Sequence, residues 1–168
     1  VGRRGRGLPG AGVASQRGPR MTLQFRNVDA DPADDVRRWP YEAIVETIDR
    51  GLVADWQPLF AEIRRAPWGP VARRIERYLT YRDRDGAGAL FALAVDRARE
   101  DVDRADRHEV AALVRAAVDR SGLTAAEFAA LVGTSASRLS TYLSGKVTPS
   151  ASMLVRIERS GTEHELSG

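Results

Sequence analysis

The 168-residue sequence contains no cysteine. A disulfide framework, a thiolate metal site and a thiol nucleophile are thereby excluded. No run of about 18 apolar residues occurs, so no membrane-crossing helix is expected. Nor does a signal-peptide core follow the basic start, which makes the cytoplasm the expected compartment. Histidine is almost as scarce. His108 sits in a charge run and His164 in the polar tail, and neither has a nucleophile, a carboxylate partner or a second metal ligand near it in sequence. Neither an enzyme nor a metal or other cofactor is expected. Lysine is nearly absent too: of 26 basic residues, 25 are arginine and one is Lys146, which beside abundant alanine is what GC-rich bacterial coding produces.

What remains is a chain with 43% hydrophobic content, enough for one good core or two small ones. Its formal charge of +3 is uneven. Arg3, Arg4, Arg6, Arg17 and Arg20 lie in the first 20 residues, leaving 21 basic against 23 acidic residues in the remainder. The folded part is therefore not globally basic, and a nucleic-acid partner would have to be met by a local patch.

Residues 1–20 have no apolar period and are dominated by Gly, Pro, Arg and Ala, so they cannot offset the entropy of folding and are expected to be disordered. They could form an arginine and glycine-rich nucleic-acid arm, or be an upstream stretch preceding a start at Met21. Residues 22–28 alternate enough for a short strand or an extended arm, but no second strand is apparent and no sheet is expected. Asp31 with Pro32 could open a short helix. Pro40 starts a clearer one, in which Tyr41, Ile44, Val45 and Ile48 keep helical spacing until Gly51. Asp55 is expected to cap the next, carrying Trp56, Leu59, Phe60 and Ile63 and ended by Pro67.

Pro70 opens a third helix with Val71, Ile75, Tyr78 and Leu79, and residues 82–88 break it before a fourth carrying Leu90, Phe91, Ala94, Val95 and Ala98. Residues 89–121 hold neither glycine nor proline, and their charge run suits a solvated helical face or a brief loop. Asp106 followed by Glu109 has the spacing of a capping box, so a break is expected near Asp103 before a helix with Val110, Leu113, Val114, Ala117 and Val118. These boundaries give a helical domain at 21–102, a second at 106–160 and a disordered tail at 161–168.

The second domain contains the densest set of signals. Thr124 and Glu127 form a capping box for a helix bearing Phe128, Ala129 and Val132, and Gly133 supplies a tight turn. Ser135 caps a second helix whose Leu139, Tyr142 and Leu143 share one face, while Ser137, Arg138, Thr141 and Ser144 are expected on the opposite one. Gly145 closes it, Pro149 fixes the following loop, and Ser150 caps a helix with Met153, Leu154 and Ile157. Between residues 121 and 160, Arg138, Lys146, Arg156 and Arg159 face Glu127 and Glu158, a local excess of positive charge suited to phosphate. A helical hairpin that merely packs or binds a protein would show the same periods.

In Thr124, Glu127, Phe128, Ala129, Val132, Gly133, Ser135, Leu139, Ser140, Gly145, Pro149 and Ser150 the chain resembles the Xre/Cro, or lambda repressor-like, family of helix-turn-helix proteins. The resemblance covers roughly a third of the chain. It implies double-stranded DNA as partner, with the helix of residues 135–144 in the major groove. The DNA-contacting set it implies is Thr124, Ala125, Ser135, Ala136, Ser137, Arg138, Ser140, Thr141, Ser144, Lys146 and Thr148. Arg138 would read a base, while Lys146 and Thr148 would touch the backbone. The family often has Gln where this chain has Ala125, which leaves contact there to backbone amides and the helix dipole. Its usual fifth helix has no counterpart, because residues 160–168 are short and polar. Dimerisation then falls to the N-terminal domain, where Trp39, Trp56 and Trp68 could leave an apolar patch once the core is filled.

Weaker signals dissolve on inspection. Asp83, Asp85 and Gly86 lack the ligand spacing and closing Glu of a calcium loop, and the glycines of residues 86–90 follow a helix where a dinucleotide fingerprint needs a strand. The three tryptophans could line a ligand pocket but more simply fill a core. Asp34, Asp35, Arg37 and Arg38 are expected to face water.

The reading is an all-α chain: about four N-terminal helices followed by a lambda repressor-like domain, acting as a bacterial transcription regulator, a repressor, and as a homodimer on DNA. The alternatives are an antitoxin whose N-terminal domain holds a toxin while the other represses the operon, and a protein adaptor without DNA.

Overall fold

The computed structural model describes residues 23–26, 28–82 and 86–165, with side chains as far as Thr162. The expectations for residues 1–20, Met21, Asp83, Asp85, the His164 side chain and residues 166–168 lie outside the described residues. Within them the chain is all-α, with seven α-helices and no strand. It divides into two compact units between Phe91 and Ala92.

The first unit is built from short helices whose ends are dictated by proline and glycine. Helix α1 (Tyr41–Arg50) follows Pro40 and stops at Gly51; α2 (Val53–Arg65) stops before Pro67; α3 (Pro70–Thr80) takes Pro70 in its first turn, where a missing N–H costs nothing. The apolar stripes read from the sequence converge as expected. Ile44, Ile48, Leu59, Ile63, Val71 and Ile75 are all buried, each burial stabilising by about 1.5 to 3 kcal/mol.

Two local expectations are corrected. Asp31 and Pro32 form a turn, closed by the Asp34 N–H on the Asp31 carbonyl at 2.9 Å. The helical turn that follows is a short 3-10 segment, Val36–Arg38, capped by Asp35, which also pairs with Arg37 at the surface. Asp55 does not cap α2 but is its third residue. Its carboxylate accepts from the Leu52 amide at 2.8 Å and from the Leu23 amide at 3.3 Å. The Leu52 side chain has no acceptor with which to return the bond, so the side-chain half of the cap is the Asp55 carboxylate. The same buried carboxylate thereby holds Leu23, and the described residues of that segment, 23–26 and 28, form no strand.

Trp39 is buried against Phe25, ring centroids 5.1 Å apart, and its Nε1 donates to the Asp34 carbonyl at 3.1 Å. Trp56 donates to the Thr47 carbonyl at 2.9 Å and packs edge-on to Phe91. Only Trp68 of the three is substantially exposed, at 48%. The patch expected from three tryptophans is therefore reduced to one. The groove of about 470 Å³ beside α1 is lined by Val28, Tyr41, Val45 and Glu46 among others, and by no tryptophan.

Helix α4 (Gly86–Ser121) runs 36 residues without the break expected near Asp103. A cap must leave helical geometry and forfeits the intrahelical bonds of two new ends. With no glycine or proline there, and Arg104 and Asp101 paired at 3.1 Å along the helix, continuing costs less.

The second unit joins the C-terminal part of α4 to α5 (Ala125–Leu131), α6 (Ala136–Leu143) and α7 (Ala151–Glu165). Val114, Ala117, Phe128, Ala129, Val132, Leu139, Tyr142 and Ile157 form one buried cluster. The tail expected to be disordered from residue 161 is helical to Glu165. The reason is contact: α7 crosses α4 so closely that a Cβ on Gly161 would lie 2.8 Å from the Ala117 carbonyl oxygen and 2.9 Å from its Cα. Arg120 of α4 and Glu158 of α7 pair at 3.0 Å beside that crossing. Gly161→Ala is therefore expected to lower stability by about 1 to 3 kcal/mol, because backbone cannot move aside as a flexible side chain can. Urea titration measures this, and an unchanged midpoint would show that the helices do not approach so closely.

Candidate nucleic-acid interface

Helix α5 begins with the box read from the sequence. The Glu127 amide donates to Thr124 Oγ1 at 3.3 Å, and the Thr124 amide donates to Glu127 Oε2 at 2.9 Å. Its end is equally local in origin. Gly133 adopts φ +74°, open to glycine without strain, and the Gly133 and Thr134 amides turn back onto the Ala130 and Ala129 carbonyls at 3.1 and 2.9 Å. Ser135 then caps α6 by accepting from the Arg138 amide at 3.1 Å. Leu139 and Tyr142 face inward, while Ser135, Ala136, Ser137, Ser140 and Ser144 are exposed and Thr141 is half-buried. Lys146 and Thr148 are exposed in the loop before Pro149.

Around these positions four residues differ from the sequence reading. Arg138 does not lie opposite Tyr142. Four residues advance a helix by about 400°, leaving the two side chains only about 40° apart. Accordingly Arg138 Nε donates to Tyr142 Oη at 3.2 Å, and Arg138 flanks the hydroxyl face instead of centring it. Thr141 and Ser144 donate their hydroxyl protons to the carbonyls of Arg138 and Thr141, at 2.7 and 3.2 Å. What these hydroxyls can offer a base edge in that rotamer is therefore acceptance, suited to an amino group of cytosine or adenine.

The fourth is Arg156, counted from the sequence in the local positive excess suited to phosphate. Its Nη1 donates to the Val132 carbonyl at 3.0 Å, at the end of α5. Arg115, which sequence reasoning missed, does the same for α6, donating to the Leu143 carbonyl at 2.5 Å. A cation at a helix C-terminus meets carbonyls that no intrahelical amide can reach. Both helices of the motif are thus closed by arginines from flanking helices. No local signal could have found this pairing, since the partners are 28 and 24 residues apart.

At the start of α5 the amides of Thr124 and Glu127 are already engaged, and a carboxylate sits among them. The bonds from Thr124 hold the Glu127 carboxyl below its ordinary value of 4.5. Ala125, exposed beside it, therefore offers an incoming phosphate a helix start that already has an anion. A group with a depressed folded pKa contributes stability that is fully present above the unfolded value and is lost as pH falls through the folded one. Glu127→Gln should thus be less stable than the parent near neutral pH, with the difference closing below pH 4.5. Thermal melts at both pH values check this, and a gap that persists in acid would refute the cap's charge dependence.

The sequence model of a family described as a helix-turn-helix domain matches residues 109–159, from α4 into α7. No curated protein and no solved structure matches the chain. Among the described residues no helix is long and apolar enough to cross a membrane, and no cluster of three or more His, Asp or Glu could hold a metal. Matched residues, capped helices and the glycine turn coincide: residues 109–159 are a helix-turn-helix domain of the Xre/Cro-like kind.

Proposed function

We propose that the chain is a sequence-specific DNA-binding transcription regulator, acting as a repressor, that lays α6 in the major groove. The observation carrying this reading is the division of α6: Leu139 and Tyr142 lock one side into the core while Ser137, Ser140 and Ser144 stay exposed beside Arg138. An eight-residue helix so anchored presents small polar side chains on a rigid support, as groove reading requires. Lys146 and Thr148 in the next loop set register through the phosphates.

Selection of bound sites from random DNA tests this. A defined motif is expected, and retention of no sequence would sink the reading in favour of an adaptor. Arg138→Ala should cost about 1 to 3 kcal/mol on the best site and relax one base position. Lys146→Ala should weaken all sites alike and lower the salt slope by about one.

Genomic competition generally requires two such modules on paired half-sites about one helical turn apart. The homodimer belongs to the first unit in this proposal. Its exposed Leu52, Val53, Trp68 and Tyr81 are the support, in place of the buried Trp39 and half-buried Trp56. Light scattering should then show a dimer and the selected motif should be palindromic. A monomer with a non-palindromic motif would move the assignment to an antitoxin holding a different protein.

A further inference from the structure

We propose that Tyr142 is a positioning residue for base readout: its phenol fixes how the Arg138 guanidinium is offered to DNA. This rests on the reading of α6 as the groove-facing helix.

Tyr142 is 5% exposed and belongs to the core cluster with Phe128, Leu139 and Ile157. Its ring cannot turn without disturbing that packing, so its hydroxyl is a fixed acceptor at the edge of the polar face. Arg138 Nε donates to it at 3.2 Å, and the guanidinium carbon lies 5.9 Å from the ring centroid, within reach of the π face. The backbone of Arg138 is held as well. Its amide donates to Ser135 Oγ and its carbonyl accepts from Thr141 Oγ1. The side chain is therefore tied at its root and just short of its tip.

An arginine can meet the O6 and N7 of guanine through its two Nη groups, or through Nε and one Nη. With Nε given to Tyr142, the second mode is closed and the end-on mode remains. A free arginine would lose rotamer freedom on binding; this one has already lost part of it. The hydroxyl thus acts on which base is preferred, beyond satisfying its own hydrogen bond.

The test compares binding-site profiles and affinities of the parent, Tyr142→Phe, Arg138→Ala and the double variant in the full chain. Tyr142→Phe should reduce affinity for the best site by roughly 3- to 10-fold, flatten the same base position as Arg138→Ala, and leave the salt slope unchanged. In the Arg138→Ala background it should change nothing. If Arg138→Ala flattens a position and Tyr142→Phe leaves it intact, Tyr142 merely packs and the inference fails while the DNA reading stands. If the parent selects no sequence, both fail. A measurement on the free parent protein needs no variant to fold: the Arg138 Nε–H resonance should exchange with solvent more slowly than those of exposed arginines, and equal exchange would overturn the proposal.

Discussion

Helix α6 is only eight residues long, and the placement of its polar face depends on the burial of Leu139 and Tyr142 beneath it. Isolated helices of that length are marginal in water, because nucleation fixes several residues for few bonds. Two large side chains packed on Val114, Ala117, Phe128 and Ile157 supply a few kcal/mol, which outweighs the few tenths that propensity differences contribute at each exposed position. The apolar contacts therefore set where the polar face points. The choice of serine and threonine on that face is left free by stability and available to recognition.

Arginine serves three different ends in the second unit. Arg115 and Arg156 close helix ends, Arg120 pairs with Glu158 across the α4 and α7 crossing, and Arg138 stands at the margin of the polar surface. A local excess of positive charge thus overstates what is available to phosphate, since a guanidinium bonded to a carbonyl is committed in part. The planar fork suits all three tasks, and a lysine would perform none of them in the same way. That the one lysine lies in the loop after α6, where a mobile point charge suffices, fits this division.

The first unit shows the same economy with buried polar groups. Asp55 accepts from the amides of Leu23 and Leu52, 32 and 3 residues away, and so joins Leu23 to the start of α2. Each tryptophan nitrogen that is drawn inward finds a backbone carbonyl, Trp39 on Asp34 and Trp56 on Thr47. Burying an indole is favourable only when its N–H is satisfied. Those two carbonyls satisfy the indole nitrogens of the buried Trp39 and the half-buried Trp56.

The sequence by itself determined the helix periods, the proline and glycine boundaries, the Thr124 and Glu127 box, the Gly133 turn and the Ser135 and Ser150 caps, since each depends on residues within about five positions of one another. It also carried the helix-turn-helix resemblance, because that motif consists of such short spacings. Tertiary structure alone decided the rest. Helix α4 continues past Asp103 because a capping pattern is only an option, exercised when the chain gains by leaving the helix. Residues 161–165 are helical because Gly161 fits against Ala117, forty-four residues earlier in the chain. Arg138 turned to Tyr142, and Arg115 and Arg156 to helix ends, because a side chain's partner is chosen by what packing brings within about 3 Å, and no count of charges along the chain contains that distance.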